Sequence, residues 1–175
     1  MEIQGDIVFN PEDSLRDAIE KHSYLLNVPI GIDPKALLWA IAGNETQFGH
    51  FRNYVRAEEA FLPGGRFYKA SNELREKYRE YGVLASSSIG TWQIMYITAY
   101  ELGYKLHPIF LQTNYIAIQC VIEFINRRAF GRGAINIAEV FDAYNSGSFK
   151  DKFMPSSYIL KGKNYYGEYL SDKGV

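Results

Sequence analysis

The stretch ALLWAIAGNETQF (residues 36–48) decides how the rest of this chain is interpreted. Asp33 precedes it and can cap a helix, while Pro34 suits the first helical position because the N–H that proline lacks is not needed there. Five side chains share one face at helical spacing: Leu38, Ile41, Ala42, Glu45 and Phe48. The sequence therefore predicts a helix that carries a carboxylate on its core-facing side.

Glu45 is unusual because it belongs to an otherwise apolar stripe. Apolar surroundings raise the pKa of a carboxyl group, and a carboxylic acid that keeps its proton near neutral pH can act as a general acid. The alternative is a structural glutamate that reaches solvent or pairs with an arginine. The helical pattern alone favours this second interpretation.

Composition narrows the class of protein. A chain of 175 residues with 47% hydrophobic and 22% charged residues fits one globular domain, for which we expect a monomer. The net charge of −1 gives no reason to expect nucleic acid or an anionic membrane as a partner. No apolar run reaches about 18 residues, so we expect no membrane span. The first residues lack the pattern of a secretory signal, which leaves three options: action at the site of synthesis, delivery by another route, or a leader that has been removed.

Capping residues, glycine stops and apolar periodicity predict a mainly α-helical domain. The helix over residues 114–130 is apolar nearly all round and should occupy the centre. A helix is also predicted over most of residues 89–103, ended by Gly103. The segment near residues 50–69 should be irregular, with a hairpin as an option at Gly64 and Gly65. The secondary structure of residues 155–169 is left open.

Acid–base chemistry by carboxylates is the one catalytic option that the sequence supports. Three histidines lie far apart without paired acids at ligand spacing, which argues against a metal site: His22, His50 and His107. The single cysteine, Cys120, has no evident base and should be a core residue. Glycoside hydrolysis would use Glu45 as acid and usually a second carboxylate, for which Glu58 and Glu59 are candidates.

Three motifs occur in a characteristic order: ETQF (residues 45–48), SIGTWQIM (residues 88–95) and AYNSG (residues 143–147). They resemble those of the soluble lytic transglycosylase family, which shares the goose-type lysozyme fold. The resemblance covers residues 32–169. It implies a mainly α, single lysozyme-like domain over residues 1–175, with a core of about residues 32–170.

This resemblance implies an activity on peptidoglycan glycan strands, without a cofactor. Glu45 would protonate the glycosidic oxygen between N-acetylmuramic acid and N-acetylglucosamine. It would then act as the base for the C6 hydroxyl of the muramic acid, which closes a 1,6-anhydro ring. The site of action would be the cell wall, in the periplasm or outside the cell, with phage delivery as a further route.

The resemblance also suggests substrate-binding residues. The matching positions are Ser88, close to the acid, Gln93, Tyr144 and Asn145. Tyr144 could orient the carboxyl group of Glu45, and either Tyr165 or Tyr166 could be the late tyrosine that contacts it. Trp92 replaces a methionine of the family, so we expect it to stack on a sugar face.

Two alternatives remain open at this point. The segment Arg56-Ala57-Glu58 resembles one in hydrolytic relatives, in which an acid helps to place water. The chain would then be a muramidase, with Glu45 as acid and Glu58 assisting. The other alternative is a non-catalytic glycan-binding or assembly module on the same fold.

Overall fold

The structure, a computed structural model, describes residues 11–50, 55–148 and 156–172. These residues form eight α-helices and one antiparallel sheet of three short strands, so the expected mainly α architecture is confirmed. The helices are α1 (Pro11–His22), α2 (Pro34–Thr46), α3 (Arg66–Ala70), α4 (Asn72–Tyr81), α5 (Tyr96–Glu101), α6 (Asn114–Phe124), α7 (Ile137–Ser146) and α8 (Ser156–Asp172). The strands are β1 (Val55–Ala57), β2 (Ser87–Ile89) and β3 (Ile94–Met95).

Helix α2 begins as its sequence predicts, because a carboxylate oxygen of Asp33 accepts the Ala36 N–H at 2.7 Å. The helix ends at Thr46 and does not continue to Gly49. Gln47 adopts a left-handed conformation with φ of 50°, and its N–H bonds back to the helix. Residues 36–44 are buried on every side of α2, so the expected single core-facing stripe is wrong. Glu45, near the open end, is only partly buried.

Most of helix α6 is buried, although Gln119 is exposed and Tyr115 and Ile116 are only partly buried. Ile118 and Val121 are fully buried, and Ile125 continues the buried surface past the end of the helix. The chain extends α6 through a π-helical turn, Ile125–Ala129, and then through a 3-10 turn to Arg132. The helical segment therefore covers the predicted residues 114–130.

Residues 88–95 form a hairpin, so the prediction that helix begins soon after residue 89 is wrong. Strands β2 and β3 pair across a four-residue turn, and only Tyr96–Glu101 is helical. Gly90 has φ of +78°, and a Cβ there would lie 2.2 Å from the carbonyl oxygen of Leu111. A left-handed glycine pressed against another backbone makes the turn and interrupts any helix.

No hairpin forms at Gly64 and Gly65 in the described chain. A tight turn there leads directly into α3, and β1 pairs with β2 in the register Arg56 opposite Ser88. Residues 51–54 lie outside the described residues, as do residues 1–10.

The tail, whose secondary structure the sequence left open, contains the 17-residue helix α8, which packs against α2 and α7. Two glycines permit this close crossing. A Cβ on Gly43 would come within 2.7 Å of the Tyr165 ring, and one on Gly162 within 2.7 Å of the Asn44 amide. Helix α8 therefore brings side chains from the end of the chain close to the C-terminal end of α2.

Candidate active site

A groove of about 630 Å³ brings together side chains from all three sequence motifs. Six of the predicted residues line it: Glu45, Glu58, Ser88, Gln93, Tyr144 and Asn145. They come from the end of α2, the β-sheet and the end of α7. Residues separated by up to about a hundred positions in sequence thus face one space, which we name the motif groove.

The surroundings of Glu45 shift the pKa of its carboxyl group. Burial raises its pKa above the ordinary value of 4.5. The hydroxyl of Tyr158 donates a hydrogen bond to Glu45 Oε1 at 2.5 Å, which offsets part of this rise. The positive charges of Arg56 and Lys161 also lower the pKa, whereas Glu58 raises it. The net pKa stays raised, as a general acid requires.

Tyr158 is held in place through its own backbone. The Asn44 side-chain amide donates to the Tyr158 carbonyl oxygen at 3.1 Å, and Lys161 Nζ donates to the Asn44 carbonyl oxygen at 3.0 Å. Two hydrogen bonds made by Asn44 therefore join helices α2 and α8 beside the Glu45–Tyr158 hydrogen bond. Burial, followed by the nearby Glu45, raises the pKa of the Tyr158 hydroxyl well above its usual range, so that it remains a donor.

Neither Tyr165 nor Tyr166 contacts Glu45, so this prediction is wrong. The Tyr165 ring packs edge-on against Phe48, with centroids 4.9 Å apart. The Tyr166 hydroxyl accepts the Asp33 N–H at 2.7 Å. Tyr158 precedes Tyr165 by about two helical turns and lies on the same side of α8, so the error is one of register along a helix that the sequence did not reveal.

Glu58 lies in the groove as part of a hydrogen-bonded cluster. Its Oε1 accepts from Arg56 Nε at 2.8 Å and from Ser88 Oγ at 2.7 Å. The pairing of Arg56 with Ser88 across β1 and β2 places these side chains on one face of the sheet. Ser88 was expected close to the acid, and the carboxylate that it bonds is that of Glu58.

Trp92 is fully buried, so the predicted stacking on a sugar face is wrong. Its indole Nε1 donates to the Leu38 carbonyl oxygen at 3.3 Å. The neighbouring Thr91 carbonyl oxygen accepts from the Thr46 hydroxyl at 2.6 Å. The Trp92 side chain therefore fastens the hairpin turn to helix α2.

Gln93 ends this turn with a left-handed φ of 48°, a conformation that costs about 1–2 kcal/mol for a residue other than glycine. Its Nε2 donates to the Gly90 carbonyl oxygen at 2.9 Å, and its side chain faces the groove. The Tyr144 hydroxyl donates to the Trp92 carbonyl oxygen at 2.8 Å, so it anchors the turn instead of orienting Glu45. Asn145 is exposed at the groove edge.

A second cavity, of about 640 Å³, contains none of the predicted catalytic or substrate-binding residues. Leu102, Tyr104 and Cys120 contribute to its wall. Burial raises the pKa of the Cys120 thiol to about 11, so the thiolate is scarce near neutral pH. Cys120 therefore behaves as the core residue that the sequence predicts.

Changing Tyr158 to Phe should raise the pKa of Glu45 further, because the hydrogen bond that favours the ionised carboxylate is lost while the burial remains. An NMR titration of the Glu45 side-chain carbonyl carbon measures this change. Tyr165→Phe is the matched control, since it removes a hydroxyl from the same helix without touching Glu45. An unchanged Glu45 titration in Tyr158→Phe would contradict the assigned hydrogen bond.

Among the described residues, no group of three or more His, Cys, Asp and Glu side chains is placed to hold a metal ion. No helix in this part of the chain has both the length and the apolar character to cross a bilayer. No protein-family model, curated protein or solved structure significantly matches this chain.

Proposed function

We propose that this protein is a peptidoglycan lytic transglycosylase with a lysozyme-like fold and with Glu45 as its single acid and base. The observation that carries the proposal is the environment of Glu45. Its carboxyl group has a raised pKa, is held by Tyr158 and opens into a groove where the three motifs meet. The mainly helical chain with a small sheet is compatible with such a fold.

The reaction begins with proton transfer from Glu45 to the glycosidic oxygen between N-acetylmuramic acid and N-acetylglucosamine. The bond from muramic C1 to that oxygen breaks, and the N-acetylglucosamine leaves with a restored hydroxyl. The Glu45 carboxylate then takes the proton of the muramic C6 hydroxyl, whose oxygen bonds to C1. The products are a 1,6-anhydro end and a regenerated acid, and no water is consumed.

The surrounding charges suit both steps. Burial favours the protonated Glu45 that must donate first. After donation, the positive charges of Arg56 and Lys161 and the Tyr158 hydroxyl stabilise the carboxylate that must act as base. A single group can therefore serve in both directions without a large change in its surroundings.

The substrate-binding surface combines amides with apolar side chains. Gln93 and Asn145 contribute polar groups to the groove, and Ile94 and Phe124 contribute apolar ones. N-acetylated sugars present hydroxyls, amides, acetyl methyl groups and apolar ring faces, so such a mixed wall suits them. We infer that a glycan strand lies along the groove with one glycosidic bond at Glu45.

Hydrolysis is the second candidate, and Glu58 favours it. A second carboxylate lines the same groove, fixed by Arg56 and Ser88. A carboxylate in such a position can activate water for attack on the sugar. The product would then be a reducing end, as in a muramidase.

Mass analysis of the muropeptides released from purified sacculi tests the proposal. The wild-type chain should release anhydro muropeptides, each lighter by one water than the corresponding reducing product. Glu58→Gln should leave the product type unchanged and lower the rate only a few-fold, because the proposed reaction requires no second carboxylate. The matched control is Glu59→Gln, which changes the adjacent acid outside the groove.

Reducing muropeptides, together with a loss of about 100-fold or more in Glu58→Gln, would establish hydrolysis instead. Binding of glycan strands without any released product would indicate a non-catalytic module and would overturn both enzymatic candidates.

A further inference from the structure

One end of the motif groove is formed by an aromatic and cationic rim that the proposed chemistry does not use. The rim consists of Phe61, Arg66 and Phe67, all of which line the groove. The two phenyl rings stack with centroids 4.5 Å apart, and the Arg66 guanidinium lies 4.5 Å from the Phe67 ring centre. Phe67 is 40% exposed, so part of its surface is open to a ligand.

The loop that carries the rim is closely fixed. The Ser86 hydroxyl donates to the Phe61 carbonyl oxygen at 2.7 Å, which ties the loop to the sheet. The Gly65 N–H donates to the Leu62 carbonyl oxygen at 2.8 Å. A Cβ on Gly65 would lie 2.4 Å from the Ala60 carbonyl oxygen, so the turn leaves no room for a side chain. A rim held in this way pays little ordering entropy when it binds.

The groove has a positive charge at the rim, on Arg66, that no neighbouring negative charge balances among the described residues. Four charged side chains line the groove: Glu45, Arg56, Glu58 and Arg66. Arg56 and Glu58 form an ion pair at 2.8 Å, and burial raises the pKa of Glu45, which disfavours its charged form. Arg66 is exposed and forms no ion pair with any described residue. A guanidinium without a carboxylate partner, held against an aromatic ring, suits an anionic group of a ligand.

We propose that Arg66 binds a carboxylate carried on the O3 substituent of a muramic acid in the bound strand. This inference rests on the proposed function, since it assigns a subsite to the same groove. The glycan backbone itself is uncharged, and the acidic groups of the polymer lie on this substituent. The open surface of Phe67 contacts the sugar or the chain of the substituent, and the N–H groups of Arg66 reach the carboxylate. The carboxylate belongs either to the lactyl group or to the peptide attached to it.

Binding to three ligands tests the inference, with Glu45→Gln as the background so that nothing is cleaved. The ligands are peptide-bearing glycan strands, strands stripped by an amidase that retain the lactyl carboxylate, and a chitooligosaccharide that has no carboxylate. Adding Arg66→Gln should weaken binding of the carboxylate-bearing strands about tenfold and leave chitooligosaccharide binding unchanged. A loss confined to peptide-bearing strands would also support the inference and would assign the carboxylate to the peptide.

Arg79→Gln is the matched control, because Arg79 is an exposed arginine on α4 outside the groove. In the cleaving chain, Arg66→Gln should raise KM and leave kcat nearly unchanged, as expected when uniform binding is lost. Equal weakening for all three ligands, or no weakening, would overturn the inference while wild-type cleavage of sacculi still supports the proposed function. If the wild-type chain released no product from sacculi, the proposed function itself would be overturned, whether or not the chain binds glycan.

Discussion

Replacing Glu45 by Gln is expected to slow peptidoglycan cleavage by about three orders of magnitude, because the amide cannot donate or accept the proton that breaks the glycosidic bond. The substitution keeps the side-chain shape and leaves an oxygen that can accept the hydrogen bond from Tyr158. Release of soluble muropeptides from sacculi measures the rate. Full activity in Glu45→Gln would remove the basis for assigning catalysis to this groove.

The same substitution should lower activity but should also make the free energy of unfolding less dependent on pH. The pKa of Glu45 is raised from 4.5 by burial, so the folded chain holds this proton more tightly than the unfolded chain. The wild type therefore loses stability as the pH rises from about 4.5 through the raised pKa, because the folded state must then carry a buried charge. Glu45→Gln removes this loss, so its free energy of unfolding should change less across that range.

Urea unfolding of both proteins at pH 4 and at pH 8 measures this effect. The free energy of unfolding of Glu45→Gln minus that of the wild type should be larger at pH 8 than at pH 4. Glu73→Gln, which alters an exposed acid on α4, is the control and should show no such change. An equal difference in stability at the two pH values would show that burial does not hold the proton on Glu45.

Local signals in the sequence were sufficient for the helix boundaries that depend on a single cap. Asp33 caps α2 as predicted, because its carboxylate accepts an N–H in the first turn of the helix. Ser71 caps α4 in the same way. The three motifs also predict the membership of much of the groove, since Glu45, Gln93 and Asn145 face one space.

The errors arose where contacts between distant segments decide the outcome. The SIGTWQIM stretch has helical periodicity, but Gly90 is pressed against the Leu111 backbone, which lies in another part of the chain. Which tyrosine of α8 reaches Glu45 depends on how α8 crosses α2. The close approach at this crossing is permitted by Gly43 and Gly162. Apolar periodicity describes one segment at a time and carries no information about which distant segments meet.

Changing Trp92 to Ala should lower the free energy of unfolding by about 3–5 kcal/mol, because the change removes a fully buried indole from the core and leaves a cavity. It also breaks the bond from Nε1 to the Leu38 carbonyl oxygen, which joins the hairpin turn to α2. Urea unfolding monitored by circular dichroism measures the loss. Tyr24→Ala is the control, since Tyr24 is 76% exposed and its removal should change stability by no more than about 0.5 kcal/mol.

The location of Trp92 also predicts how activity responds. Gln93 follows Trp92 directly, and the Tyr144 hydroxyl donates to the Trp92 carbonyl oxygen. A loosened turn therefore misplaces Gln93 and Tyr144, which line the groove, although Trp92 itself does not line it. Trp92→Phe keeps most of the buried volume. Its losses of stability and of cleavage rate should each be less than half of those in Trp92→Ala. If Trp92 instead stacked on a sugar, Trp92→Ala would weaken glycan binding strongly while the free energy of unfolding stayed near the wild-type value. A large loss of stability in Trp92→Ala that is mostly recovered in Trp92→Phe would show that the buried side chain at this position supports the motif groove.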